Sequence, residues 1–247
     1  MIKFKVVAPV YNAEKWIHLC IRSLRMQSYQ NFECYVVDDF STDNTRSVIE
    51  KEIKDLNNFH LLIPETKGYP LGSLNFALDS ANISDEDIVV IVDGDDWLYS
   101  ERSLEIIKNT YENTGCYLTY GSYVEYPSKK RGKFAKKIPQ HIIENKLYRQ
   151  SEWMTSHMRT FKYKLWNNID KQDIKDEDGA FYKRAGDLPA TFCMLELAGE
   201  RISFIEDILY VYNRSNPLNE DKIDHREQLL AEKRIRSSRV YETLREN

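Results

Sequence analysis

Short apolar runs alternate with stretches of helical periodicity through the first half of the chain. "KFKVVAPV" is a β-branched run at 3–10, and over 13–26 Trp16, Cys20 and Leu24 recur at helical spacing. Asn12 stands where an N-cap belongs. "FECYVVDD" predicts a second strand, and beyond it Val48, Ile49, Ile53 and Leu56 form one helical stripe. Ser41 is placed to cap that helix, with Asp43 favourable in its first turn. "FHLLIPE" predicts a third strand and "LGSLNFALDSA" a short helix. "DIVVIV" is apolar on both faces, as a central parallel strand covered from two sides must be. The order β-α-β-α-β-α-β predicts an α/β fold with a doubly wound, mostly parallel sheet.

After Tyr126 the character changes. "PSKKRGKFAKK" is a polar connection in which six of the nine residues 129–137 are basic, and it reads as a mobile flap or solvated loop. The remainder is richer in helix signals and aromatics. It ends in a charged helix from about Asn219, where Leu229, Ile235, Val240 and Leu244 could pair with a second copy or pack on the chain's own core. The 247 residues, 42% of them hydrophobic, suit one domain with a sizeable core, divided into halves 1–126 and 127–247. A net charge of −4 argues against nucleic acid as the main partner. No apolar run approaches the roughly 18 residues of a membrane span, and the amino terminus is too short in apolar residues for a signal peptide. Cys20, Cys34, Cys116 and Cys193 form no CxxC pair, so reduced, buried thiols and a cytoplasmic setting are expected.

The chemistry gathers at strand ends. "IVVIVDGDDWLYS" carries Asp93, Asp95 and Asp96 directly after a buried run, Asp38 and Asp39 follow strand two, and Pro9, Tyr11 and Asn12 belong to the end of strand one. In doubly wound sheets ligands bind beyond the carboxyl ends of the strands. Carboxylates packed that closely repel unless a cation joins them. Calcium loops fit poorly: Asn44 stands where a glycine is needed, and Leu104 where a bidentate glutamate is needed. With 9 glycines and neither phosphate-cradling pattern, a bound nucleotide needs another means of neutralising its phosphates. A divalent ion on Asp-Gly-Asp serves, with Gly94 allowing a tight turn and the approach of a diphosphate.

"APVYNAEKWIHLCIRSLRMQSYQNFECYVVDDFSTDNT" followed by "IVVIVDGDDWL" resembles the nucleotide-sugar half of family-2 glycosyltransferases of the GT-A fold, over nearly all of the first 125 residues. That resemblance implies an inverting, metal-dependent transferase, with a UDP-sugar donor and Mn2+ or Mg2+ as cofactor. Pro9, Tyr11 and Asn12 would line the uracil and ribose pocket, Tyr11 stacking on the base. Asp39 would accept a hydrogen bond from the uracil ring, Asp38 being structural. Asp93 would lie near ribose and metal, Asp95 would ligate the metal, and Asp96 and Trp97 would shape the sugar side. Where the family often reads Gly, then Ala-Arg-Asn, this chain has "KGYPLGSLN": Gly68 and Asn75 are kept, Leu74 replaces the arginine, and Lys67 offers a substitute charge.

An inverting enzyme needs a base for the acceptor hydroxyl. The resemblance puts an acid after the basic connection, Asp178 or Asp187. Asp187 is chosen because "GDLPATF" starts a helix there, with Pro189 in its first turn. Arg159 and Lys162 suit a diphosphate or an anionic acceptor, or else a solvated helix face. A late histidine often completes such metal sites, which makes His225 the candidate, with Tyr212, Asn213 and Arg214 closing over substrate. The whole chain also resembles giant-virus members of the family, some of which glycosylate collagen-like proteins. That implies UDP-glucose and a glycosylated hydroxylysine acceptor. The rival readings are a sugar nucleotidyltransferase, for which no glycine-rich loop follows strand one, a receiver domain of about half this length, and an inactive UDP-sugar-binding module.

Overall fold

The computed structural model describes residues 1–219 and 225–245, apart from the side chains of residues 225 and 226. Four strands lie parallel: β1 (Phe4–Val10), β2 (Phe32–Asp38), β3 (Phe59–Leu62) and β4 (Ile88–Ile91). Between them run α1 (Ile17–Arg25), α2 (Thr45–Ile53) and α3 (Tyr69–Ser80), the crossovers that parallel neighbours require. The runs are largely apolar because both faces are covered, and the buried Lys5 of β1 is paired with Glu33 of β2. Val6, Ala8 and Val10 pack in one core cluster with Ile17, Ile21 and Leu24 of α1, and Val7 in the other with Leu74, Ala77 and Leu78 of α3.

Two expected caps are replaced. Asn12 has a left-handed backbone (φ 48°), and its Oδ1 accepts the Thr42 N–H at 2.7 Å; α1 begins only at Ile17. Ser41 Oγ accepts the Asn12 N–H at 3.0 Å and so ties two loops together. At the start of α2 it is Asp43 that works, its Oδ1 accepting the Thr45 N–H at 3.0 Å.

The second half holds more sheet than its sequence suggests. After β5 (Trp97–Leu98) and α4 (Ser103–Thr114) come β6 (Leu118–Tyr126), β7 (Arg159–Lys162) and β8 (Ile202–Asn213). All join the one sheet, in the order β3-β2-β1-β4-β7-β6-β8-β5. β7 runs antiparallel to β4 and β6, and it occupies the "RTFK" for which a solvated helix face was one of two readings. β8 was obscured because exposed Glu206 and Asp207 interrupt its alternation, near the point where its register with β6 shifts. The remaining helices are α5 (Gln140–Glu144), α6 (Tyr163–Asn167), α7 (Asp187–Ala198) and α8 (His225–Ser237).

The basic run is pinned on both sides and is not a loose flap. The Gly132 N–H bonds Tyr123 O at 2.9 Å and the Glu125 N–H bonds Lys130 O at 2.8 Å. Farther on, the Lys136 N–H reaches Met154 O at 3.1 Å and the Ser156 N–H reaches Phe134 O at 3.2 Å. Gly132 lies so close on the Tyr123 ring that a Cβ would meet its Cζ at 1.9 Å, so only glycine fits. Among the described residues no helix is long and apolar enough to cross a membrane, and the four cysteines are buried and unpaired.

The carboxyl-terminal helix stops at Ser237, short of Val240 and Leu244. Residues 238–245 turn back onto α7, where the Tyr241 N–H bonds Glu196 at 3.0 Å and the Leu244 N–H bonds Leu197 O at 2.9 Å. Glu196 is fully buried and forms a two-pronged pair with Arg149, at 2.6 and 3.0 Å. Arg149 also donates to Ile235 O of α8 at 2.7 Å. Replacing one partner leaves a buried charge uncompensated, which typically costs about 3–5 kcal/mol. Glu196→Gln is therefore expected to lower the unfolding free energy by about that amount in a urea titration; an unchanged midpoint refutes the clamp.

Candidate active site

The loops after β1, β2 and β4 meet at one end of the sheet because the strands are parallel and in register, with Val10 beside Asp38 and Val7 beside Ile91. Backbone bonds lace them together: the Gly94 N–H to Pro9 O at 2.8 Å, and the Asp39 N–H to Val10 O at 2.9 Å. Gly94 owes its place to this contact. A Cβ there would lie 2.5 Å from Val10 Cβ, so strand packing demands glycine, whatever a diphosphate needs. Asn12, Phe40 and Tyr69, one on each of three crevice loops, hold left-handed backbones that non-glycine residues rarely adopt.

Burial alternates along the acid loop. Asp93, Asp95 and Trp97 are partly open, whereas Gly94, Asp96 and Leu98 are buried. Asp96 is fixed from behind by β8, accepting from the Tyr210 hydroxyl at 2.8 Å and the Asn213 N–H at 2.7 Å. Burial, then the neighbouring Asp95 and Asp93, push its pKa well above the carboxylate range. Asn216 Nδ2 donates to Asp95 Oδ2 at 2.7 Å, and Asn213 Nδ2 to Asp95 O at 3.1 Å. Asp93 is pushed up to about 7, first by desolvation and then by Asp95, with Arg159 opposing.

The imidazole at this loop is His157, whose Nδ1 lies 3.9 Å from Asp93 Oδ2. It stacks on Tyr210 (4.8 Å, 4°) and Tyr212 (5.1 Å, 17°) and meets the Tyr123 ring edge-on at 5.6 Å. Burial, aided by Arg159, drives its pKa well below the usual value, so it is neutral and one ring nitrogen can accept. Asp93, Asp96 and His157 each present a ligand atom within 4.8 Å of the others. A half-open acid with a raised pKa beside a neutral imidazole is a donor set that suits a divalent cation. This differs from the expected set. The Asp95 carboxylate is turned to Asn216, outside the convergent group, and the side chain of His225 lies outside the described residues. Sequence reasoning missed the histidine in "SHMR" because its link to the acids runs through rings on β6 and β8.

Asp187 is the first residue of α7, and Gly186 holds the cap position. Its Oδ2 lies 2.8 Å from Arg159 Nη1, and both residues act electrostatically on Asp93. Arg159 is buried and its partner carboxylate partly open. Asp178 instead sits exposed on a turn. Lys162 is drawn away to Glu86 at 2.6 Å and contributes nothing here. Asp39 is buried, and both its oxygens accept backbone N–H groups, from Gly68 at 2.7 Å and Tyr69 at 2.9 Å. Each oxygen keeps a lone pair, yet the visible work of Asp39 is to hold the loop before α3. The Lys67 ammonium sits 3.1 Å over the Tyr11 ring. Asn75 spends its amide N–H on Asp79 at 2.7 Å, and its Oδ1 is buried without a partner.

The family description "Glycosyl transferase family 2" matches residues 5–171. Glycosyltransferase GlyG of Streptococcus pneumoniae is 26% identical over 220 residues, covering 85% of this chain and 70% of that protein. Poly(ribitol-phosphate) beta-N-acetylglucosaminyltransferase TarS of Staphylococcus aureus is 38% identical over 103 residues, which are 41% of this chain but only 18% of TarS. The TarS 1–349 structure with UDP-GlcNAc aligns at TM-score 0.70 and 24% identity, over 90% of this chain and 62% of that one. Glucosyl-3-phosphoglycerate synthase of Mycobacterium tuberculosis, solved with Mn2+, UDP and phosphoglyceric acid, aligns at TM-score 0.63 and 15% identity, over 95% and 78% of the chains. The fold is thus GT-A, and by a match over more than half its length the chain belongs to glycosyltransferase family 2.

Proposed function

We propose that the chain transfers a sugar from a UDP-sugar to an acceptor hydroxyl by direct displacement with inversion. The observation that supports this reading best is the nearness of two charged groups. The Arg159–Asp187 pair lies close enough to the acid loop and its His157 for both of its members to act on Asp93. UDP is preferred as the carrier because Tyr11 offers a stacking ring and because TarS and the glucosyl synthase were solved with UDP-GlcNAc and UDP.

Asp187 takes the acceptor's hydroxyl proton while Arg159 holds its carboxylate in direction. The acceptor oxygen forms its bond to the anomeric carbon as the bond to the β-phosphate oxygen breaks, and the electron pair leaves on UDP. Asp93 and His157 would hold Mn2+ or Mg2+, with Asp95 on the same open side of the loop. When bound, that cation supplies charge to stabilise the departing diphosphate. Lys67 and Gly68 would meet the phosphates, and Pro9, Tyr11, Asn12, Asp39 and Asn75 the nucleoside side. UDP-glucose is the donor proposed first. The acceptor is a glycan or a protein, and a glycosylated hydroxylysine of a collagen-like protein is the narrower reading carried by the sequence resemblance. An inactive binding module shares the crevice but gives no turnover.

A panel of UDP-sugars with Mn2+, read by slow donor hydrolysis and thermal shift without acceptor, tests the donor, and UDP-glucose giving neither signal removes it. Asp187→Asn is expected to lower transfer by about 10²–10⁴-fold, the usual worth of a positioned base, with UDP affinity kept. Undiminished transfer in that variant removes the mechanism. Cation binding requires Asp93 to be ionised, and its raised pKa keeps it protonated below about 7. Affinity for Mn2+ alone should therefore weaken about tenfold per pH unit below neutrality and level off above it, as calorimetry between about pH 5 and 8 can follow. By the same sign, the metal-free protein loses stability as pH rises from the ordinary aspartate range towards about 7, and Mn2+ restores it. A flat pH profile for Mn2+ binding speaks against Asp93 as a ligand.

A further inference from the structure

The basic strap 129–137 has no part in the mechanism above, yet it is built against the site. Gly132 lies on the Tyr123 ring, Tyr123 meets His157 edge-on, and His157 stands 3.9 Å from Asp93. Lys129, Lys130, Lys133 and Lys137 are exposed along it, while Arg131 is spent on Ser122 and Lys136 pairs with Glu152. The strap holds six basic residues and no acid, which leaves 29 basic against 39 acidic residues elsewhere in the chain. A polyanion therefore meets an attractive field here and a repulsive one over much of the remaining surface. The backbone bonds to β6 and to 154–156 fix the strap's main chain beforehand, so binding has to order only the lysine side chains.

Aromatic rings adjoin the charge. Tyr126, at the end of β6, lies between Trp97 (5.3 Å) and Trp16 (6.3 Å), and Trp97 is on the open side of the acid loop with Asp93 and Asp95. Such faces suit the C–H surfaces of sugar rings. Tyr126 is exposed, but both partly buried tryptophans pack edge-on against its ring, a poor arrangement for insertion into lipid. Building on the proposed transfer reaction, we infer that the acceptor is a glycan carrying phosphate groups, its phosphates on the strap lysines and its sugar on the Trp97–Tyr126 pad. This favours a phosphate-bearing glycan over a collagen-like acceptor.

The test uses the whole chain with a fluorescent glycerol-phosphate oligomer, neutral dextran as control, and Lys129→Glu, Lys130→Glu and Lys133→Glu combined. The oligomer should bind, dextran should bind more weakly, and the triple variant should lose at least about tenfold in affinity. Binding should also weaken steeply between about 50 and 200 mM salt. UDP titration in Mn2+ should be the same in both proteins, and it reads the donor site separately, so a failure there is distinguishable from a failure of the strap. Equal oligomer binding by the triple variant overturns the proposal. So does tighter binding to RNA of equal charge, or to anionic phosphatidylglycerol vesicles, than to the oligomer.

Discussion

Three carboxylates within four residues are the constraint around which this molecule is arranged. Asp93, Asp95 and Asp96 follow a fully covered strand, where little water screens them, and burial raises all three pKa values. The chain meets that cost through β8 and the segment that follows it. The Tyr210 hydroxyl donates to Asp96 and accepts the Asp93 N–H, Asn213 holds Asp96 and the Asp95 carbonyl, and Asn216 holds the Asp95 carboxylate. Asp96 is thereby a structural anchor, its pKa raised by burial and by Asp95 and Asp93 against the lowering pull of those hydrogen bonds, while Asp93 stays half-open with a pKa of about 7. A loop that resists full ionisation by itself is one that a cation stabilises.

The same strand sets the imidazole. Tyr210 and Tyr212 lie two residues apart on β8 and so project to one face, where both stack on His157. One element thus fixes the buried acid, the loop backbone and the ring. β8 also carries the strap, because Arg131 reaches Glu206 O at 2.8 Å. Donor-side and acceptor-side features share a support, so a substitution in β8 is expected to disturb both.

The parts of this that could be read from sequence were those encoded locally. Continuous apolar runs and their helical connections gave β1 to β4 with their crossovers, and acids at strand ends marked the crevice. What escaped was encoded at a distance. β7 and β8 are recognisable only through their partners, since "RTFK" is too short for periodicity and β8 is broken by exposed acids. His157 earns its position from rings more than 30 residues away in sequence on β6 and more than 50 away on β8. Gly94 was recognised as necessary, but the packing demand made by Val10 was not legible from sequence. The strap looked loose because lysine-rich composition says nothing of backbone pairing.

The replacement of the family's usual arginine by Leu74 bears on how a donor would enter. Leu74 is buried in the core under α3 and has no electrostatic role. The nearby cation is Lys67, parked over the Tyr11 ring, on the loop whose end Asp39 clamps at Gly68 and Tyr69. Base stacking on that face of Tyr11 has to displace the ammonium. An exposed cation–π contact is worth only about 0.5–1 kcal/mol, whereas a charge-assisted bond to phosphate is roughly twice as strong as a neutral hydrogen bond. The exchange is downhill, provided the displaced ammonium finds the diphosphate. Donor binding as proposed therefore moves one charge from ring to phosphate, with Asp39 holding the hinge of the loop still.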